Sequence, residues 1–267
     1  MSDPLISIGE LADRLDEVVL FDLRWSLTEP GRGNAAYATG HIPGAVFVDL
    51  ETDLSGPDGD GRHPLPTAEG FTRLLGNLGA GPNDEIVVYD DVGGSVAARM
   101  WWMLRSIGHE GSRLLDGGLG AWLDAGLPVT DDESRRPSKN YPAAAGFTGV
   151  VTADELTDRQ LIDARAPERY RGEIEPVDPK SGHIPGAVNM PAAGNLGPDG
   201  RFLGLEDLIE RYRATPEDSI VSCGSGVTAC QVALALMVAG HPMPDLYVGS
   251  FSDWSRRDLP VATGDLP

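Results

Sequence analysis

Apolar runs and helical stretches take turns along this chain, and the order is the same in its two halves. "VVLFDLR", "EIVVYD" and "SRLLDGG" in the first half, and "LIDAR", "DSIVSC" and "DLYVGS" in the second, read as strands. Between the second and third strand of each half, "SVAARMWWMLRSIG" and "VTACQVALALMVAG" read as helices. Ser7 to Glu10 and Thr152 to Glu155 have the spacing of capping boxes, each opening a short helix. Each first strand is followed by a long loop, the block "GHIPGAV" and a further helix. Strands alternating with helices predict an α/β fold, a parallel sheet with helices on both faces. In such sheets, sites lie beyond the carboxyl ends of the strands.

The two halves are copies. "GHIPGAV" occurs twice, pairing His41 with His183. "SIGHEGSRLLDGGLGAWLDAGLPV" aligns without a gap on "VAGHPMPDLYVGSFSDWSRRDLPV", with Trp122 on Trp254 and Pro128 on Pro260. The expected organisation is residues 1–130, a linker over residues 131–147 rich in charge, Pro and Gly, and residues 148–267. The first copy carries the longer loop, around "TDLSGPDGDGRHPLP".

Charge narrows the class. Across 267 residues, 41 acidic side chains against 21 basic ones give a net charge of −20, which opposes binding to nucleic acid or to an anionic membrane. No segment approaches the ~18 apolar residues of a membrane span, and the start of the chain lacks the pattern of a signal peptide, so a cytoplasmic location is expected. The two cysteines, Cys223 and Cys230, fit a reducing compartment, and on one helical segment they would stand roughly 10 Å apart, too far to bridge. Without a CxxC pair or a His cluster, no metal is expected, and no cofactor.

The chemistry concentrates in "CGSGVTAC", where Cys223 follows a strand and precedes a helix. Gly224 and Gly226 let the loop curl so that successive N–H groups point into a cup, with Ser225, Val227 and Thr228 lining it. The positive end of the next helix adds to the cup, and both favour thiolate over thiol at Cys223. The same cup could hold a persulfide. Cys230, within an apolar helix, reads as core. A cysteine phosphatase would need Arg six positions after the cysteine, where Ala229 stands, and no GxGxxG follows a first strand.

Over essentially its whole length the chain resembles the two-domain rhodanese sulfurtransferases, on "GHIPGAV", the "WW" of the first copy, "LLDGGLGAW" and a cysteine loop confined to the second copy. "CGSGVT" is similar to the loop of the 3-mercaptopyruvate branch. The resemblance implies two tandem rhodanese-like domains, the first non-catalytic with Asp90 at the cysteine's place, and the second moving sulfur from 3-mercaptopyruvate or thiosulfate to a thiol or cyanide through a Cys223 persulfide. It implies a small anionic donor, for which Arg169 matches the substrate-binding arginine, with Arg171 its neighbour. Val177 stands where such enzymes usually carry a second arginine, leaving Lys180 as the substitute. It also suggests an auxiliary relay in which His63 and Glu51 assist Ser225, set against mere surface decoration and lid packing. The competing reading is a non-catalytic persulfide carrier or docking module for a sulfur-trafficking partner.

Other polar residues have a structural reading. The DxR pairs Asp22–Arg24 and Asp163–Arg165, like His41 and His183, occur in both copies and are expected to support the fold.

Overall fold

The computed structural model describes residues 3–156 and 159–267. The chain forms two compact units: one comprises the chain up to Gly56, Pro66–Thr148 and Gly197–Phe202, the other Pro57–Leu65, Gly149–Leu196 and Leu203–Pro267. The long loop of the first copy therefore divides, and its residues 57–65 fold with the second unit.

In the first unit the order is β1 (Leu5–Ile6), α1 (Ile8–Asp13), β2 (Val19–Asp22), α2 (Arg32–Thr39), β3 (Val46–Phe47), α3 (Ala68–Asn77), β4 (Ile86–Tyr89), α4 (Ala97–Ser106), β5 (Ser112–Leu115) and α5 (Gly118–Asp124). All strand pairings are parallel, in the order β1-β5-β4-β2-β3. Every residue of β2 and β4 is buried, as expected for strands covered on both faces. Leu20, Val87 and Tyr89 pack with Leu11 and Trp122, while α4, bearing the buried Trp101 and Trp102, packs on β4 and β5.

The second unit repeats this with β6 (Val150–Val151), β7 (Leu161–Asp163), α6 (Pro167–Tyr170), β8 (Ala187–Asn189), α7 (Leu205–Tyr212), β9 (Ile220–Ser222), α8 (Ala229–Val238), β10 (Asp245–Tyr247) and α9 (Ser250–Trp254). Its sheet is again parallel, in the order β6-β10-β9-β7-β8. The two capping boxes turn out differently. Ser7 Oγ accepts from the Glu10 N–H at 3.2 Å, but the Glu10 carboxylate turns to Arg113 and Arg14. Glu155 does fold back on the Thr152 N–H at 2.7 Å, yet only a 3-10 turn, Ala153–Glu155, follows, and residues 157 and 158 lie outside the described residues.

The duplicated polar residues hold the two units together internally in the same way. Arg24 and Arg165 each fork onto the aspartate two residues before, with Nη2 to Oδ2 at 2.7 Å in both, and each donates to a loop carbonyl, Gly40 or Gly182. His41 and His183 are fully buried, each stacked at 3.7 Å on a tyrosine, Tyr37 or Tyr170, whose carbonyl sits 2.8 Å from the ring Nδ1.

Candidate active site

Cys223 stands directly after β9 and begins the turn into α8. The turn depends on Gly226, at φ 71°, where a Cβ would lie 2.5 Å from the Val248 carbonyl oxygen. Its outer side is pinned by the first turn of α9, where Phe251 N–H donates to the Cys223 carbonyl at 3.0 Å and Ser252 N–H to the Gly224 carbonyl at 2.8 Å. Among the described residues, the N–H groups of Gly224, Ser225, Val227 and Thr228 donate to no protein acceptor. Four donors without a partner at a helix start form a site for negative charge.

Ser250 completes the backbone framework and was not legible as a functional residue. Its Oγ accepts the Cys223 N–H at 3.1 Å and donates to the Tyr247 carbonyl at 2.8 Å. To do so it sits at φ 51°, the one non-glycine residue at positive φ among those described. A buried side chain held in that region costs of order 1 kcal/mol or more. The strain accompanies the hydrogen bond that fixes the backbone of the candidate nucleophile.

Arg169, from α6, reaches the same loop. A Cβ placed on Gly224 would lie 3.6 and 3.8 Å from Arg169 Nη1 and Nη2, and 3.0 Å from Nη2 of Arg62. Arg62 belongs to the segment that folds with this unit, and sequence reasoning passed over it. The only signal was its place beside His63 in the loop peculiar to the first copy. Two buried acids hold these arginines. Glu175 accepts from Arg169 Nη2 at 2.7 Å and Nε at 3.2 Å, while Asp178 bridges, with Oδ2 3.2 Å from Arg169 Nη2 and Oδ1 paired to Arg62 Nη1. Burial pushes the Glu175 carboxyl up, but Arg169 and the N–H groups of Asp178 and Val177 outweigh it and hold it below the ordinary glutamate range.

The remaining expected residues divide. His63 is buried, and its Nδ1 lies 2.9 Å from Ser225 Oγ. Glu51, exposed in the first unit, accepts from Trp25 Nε1 at 3.3 Å. Lys180 gives its ammonium to the carbonyls of Arg257 and Leu259, at 2.8 and 3.1 Å, in the chain beyond α9. Arg171 forks onto Glu173 at 2.6 and 3.0 Å. Cys230 is fully buried in α8 and lends its thiol to the Gly226 carbonyl at 3.4 Å. No group of three His, Cys, Asp or Glu among the described residues could hold a metal ion.

Comparison with known proteins agrees with this geometry. The model of the rhodanese-like domain matches residues 7–125 and again 152–257. A probable 3-mercaptopyruvate sulfurtransferase of Pseudomonas aeruginosa is 45% identical over 284 residues, covering 99% of each chain. A putative thiosulfate sulfurtransferase of Mycobacterium tuberculosis, SseB, is 41% identical over 97% of each chain. The crystal structure of SseA from Escherichia coli, described as a 3-mercaptopyruvate sulfotransferase, superposes with a TM-score of 0.82 at 33% identity, over 94% of this chain and 100% of that one.

Proposed function

The chain belongs to the rhodanese family, and from that premise we propose that it transfers sulfane sulfur through a persulfide on Cys223, taking it by preference from 3-mercaptopyruvate. One observation carries the reading: the candidate nucleophile opens a cup of unpartnered N–H groups, with the Arg169 guanidinium over the adjoining Gly224. In the first half-reaction the Cys223 thiolate attacks the donor sulfur. The carbon–sulfur bond breaks, its electron pair passes to the carbon, and the proton of the donor thiol follows, leaving pyruvate and a cysteine persulfide anion. The terminal sulfur extends from Sγ toward the N–H groups that favour its charge. In the second half-reaction a thiolate or cyanide attacks that outer sulfur, the sulfur–sulfur bond breaks, and its electrons return to Cys223.

The donor preference rests on the loop. "GSG" presents hydroxyl and backbone donors suited to a carboxylate and a keto group, whereas thiosulfate, a compact dianion, gains most from basic side chains that are lacking at residues 224–228. Steady-state kinetics with both donors on one preparation test this: kcat/KM higher for 3-mercaptopyruvate is expected, and the reverse order would replace it by a thiosulfate enzyme with an unusual loop. Turnover with a small thiol acceptor also separates an enzyme from a persulfide carrier, which would take up one sulfur and stop. Residues 148–267 act as the catalytic part and residues 1–130 as the non-catalytic one in this reading. We place the protein in the cytoplasm; both cysteines are free, and no helix among the described residues is long and apolar enough to cross a membrane.

A further inference from the structure

We propose that Arg62 is the second cation of the donor site, acting with Arg169 to hold the carboxylate and keto oxygen of the mercapto acid beside Cys223. This rests on the sulfur-transfer reading above. A single guanidinium already tied to acids has little left to orient a two-oxygen group. Arg169 spends Nε and Nη2 on Glu175 and Asp178, which leaves Nη1 for a ligand. Arg62 spends Nη1 on Asp178, and its Nε is buried without any partner. A buried guanidinium N–H without an acceptor is costly, and it is the kind of group a bound anion satisfies.

The unspent nitrogens converge. Arg62 Nη2 and Arg169 Nη1 lie 3.0 and 3.6 Å from the same point, the position a Cβ would take on Gly224. A methyl group at position 224 would crowd the Arg62 fork, although Gly224, unlike Gly226, is not at positive φ. Asp178, wholly buried, places one oxygen on each arginine, so two like charges stand side by side without mutual repulsion dominating. The Arg62 backbone is fixed as well. Its N–H donates to Ser252 Oγ at 3.0 Å, Gly61 before it packs where a Cβ would be 2.6 Å from the Gly249 carbonyl oxygen, and His63 after it meets Ser225. An arginine needed only to neutralise Asp178 would not require this anchoring above the nucleophile's loop. Paired forks of this kind recognise a planar carboxylate through charge-assisted bonds.

The test compares Arg62→Ala and Arg62→Lys with the parent, using 3-mercaptopyruvate and an alkyl hydropersulfide that lacks carboxylate and keto groups as donors, with thermal melting to establish folding. Arg62→Ala should raise KM for 3-mercaptopyruvate by roughly 10- to 100-fold with kcat within a few-fold, the size of one charge-assisted contact. Arg62→Lys should recover part of the loss, and the donor without carboxylate and keto groups should be used to within a few-fold by all three. An unchanged KM for the keto acid, or an equal loss on both donors, would overturn the proposal; if Arg62→Ala does not fold, Arg62→Lys carries the same comparison. Pyruvate binding to Cys223→Ser protein, with and without Arg62→Ala, judges the arginine independently of turnover. Binding weakened by the same factor supports the pair, and equal binding refutes it. A parent that turns over no donor would instead sink the sulfur-transfer reading.

Discussion

After β4 the first unit turns through Asp90 to Ala97, and after β9 the second turns through Cys223 to Ala229, with Gly94 at φ 78° and Gly226 at φ 71° in matching places. In the first, the Asp90 carboxylate fills its own cup: Oδ1 accepts from Val92 and Gly94 at 2.9 and 2.8 Å, Oδ2 from Val96 and Ala97 at 2.8 and 2.9 Å. Burial pushes the Asp90 carboxyl up against the pull of these four donors. In the second, the residue at that place is a thiol, and among the described residues the N–H groups of Gly224, Ser225, Val227 and Thr228 donate to no protein acceptor. The helix after the last strand differs in parallel. Leu119 and Phe251 each donate to the carbonyl of Asp90 or Cys223, at 2.9 and 3.0 Å, but the preceding residue is Gly118 at φ 56° in one unit and Ser250 at φ 51° in the other. One turn thus serves two ends: a built-in anion makes it structural, and in the proposed function a cysteine beside unpartnered donors makes it reactive, at the expense of backbone strain at Ser250.

The widest gap between the cups should appear on removing each key side chain. Cys223→Ser should lower turnover by more than about 10³-fold with the fold intact, because an alcohol is not ionised at neutral pH, while Cys230→Ser keeps its activity. Asp90→Ala should do the opposite: kcat/KM within a few-fold of the parent, but a loss of about 2–4 kcal/mol in stability from N–H groups left without an acceptor, read by denaturant unfolding. A loss of turnover comparable to that of Cys223→Ser would break the comparison by giving the first cup a part in the chemistry. Ser250 sharpens it. Ser250→Ala and Ser250→Gly should both lower kcat roughly 5-fold by freeing the Cys223 N–H, and the glycine variant should be the more stable of the two by about 1 kcal/mol because it relieves the left-handed backbone. Equal stabilities would remove the claim of strain.

The smallest effect is in acid. Glu175 has a folded-state pKa below its ordinary value, so its contribution to stability is present above the usual glutamate range and disappears as pH falls through the lower folded value. Parent and Glu175→Gln should therefore differ in stability near neutral pH and converge on acidification; a gap that persists at low pH would contradict the ion-pair account.

Much of this was legible because the chain states it twice. The apolar runs marked β2, β4, β5, β7, β9 and β10, and the repeat gave the two-fold organisation. The edge strands β1 and β6 were missed, being two residues long and outside any readable period, and β3 and β8 lie at the end of the "GHIPGAV" blocks, to which no secondary structure was assigned. At the site, the cysteine and its glycines showed in local spacing. Arg62 did not, because its placement depends on a segment distant in sequence folding beside Asp178 and Gly224, and no local pattern marks that approach. Ser250 was invisible for the same reason: its hydrogen bond spans β9 and α9.

The central claim is that the cup of the second unit carries sulfur on Cys223. Intact and peptide mass spectrometry after exposure to donor without acceptor tests it most directly. The account predicts a gain of one sulfur atom on the peptide bearing Cys223, confined to that cysteine, and its loss when a thiol acceptor is added. Sulfur on Cys230 instead, or steady turnover with no sulfur ever found on Cys223, would contradict it.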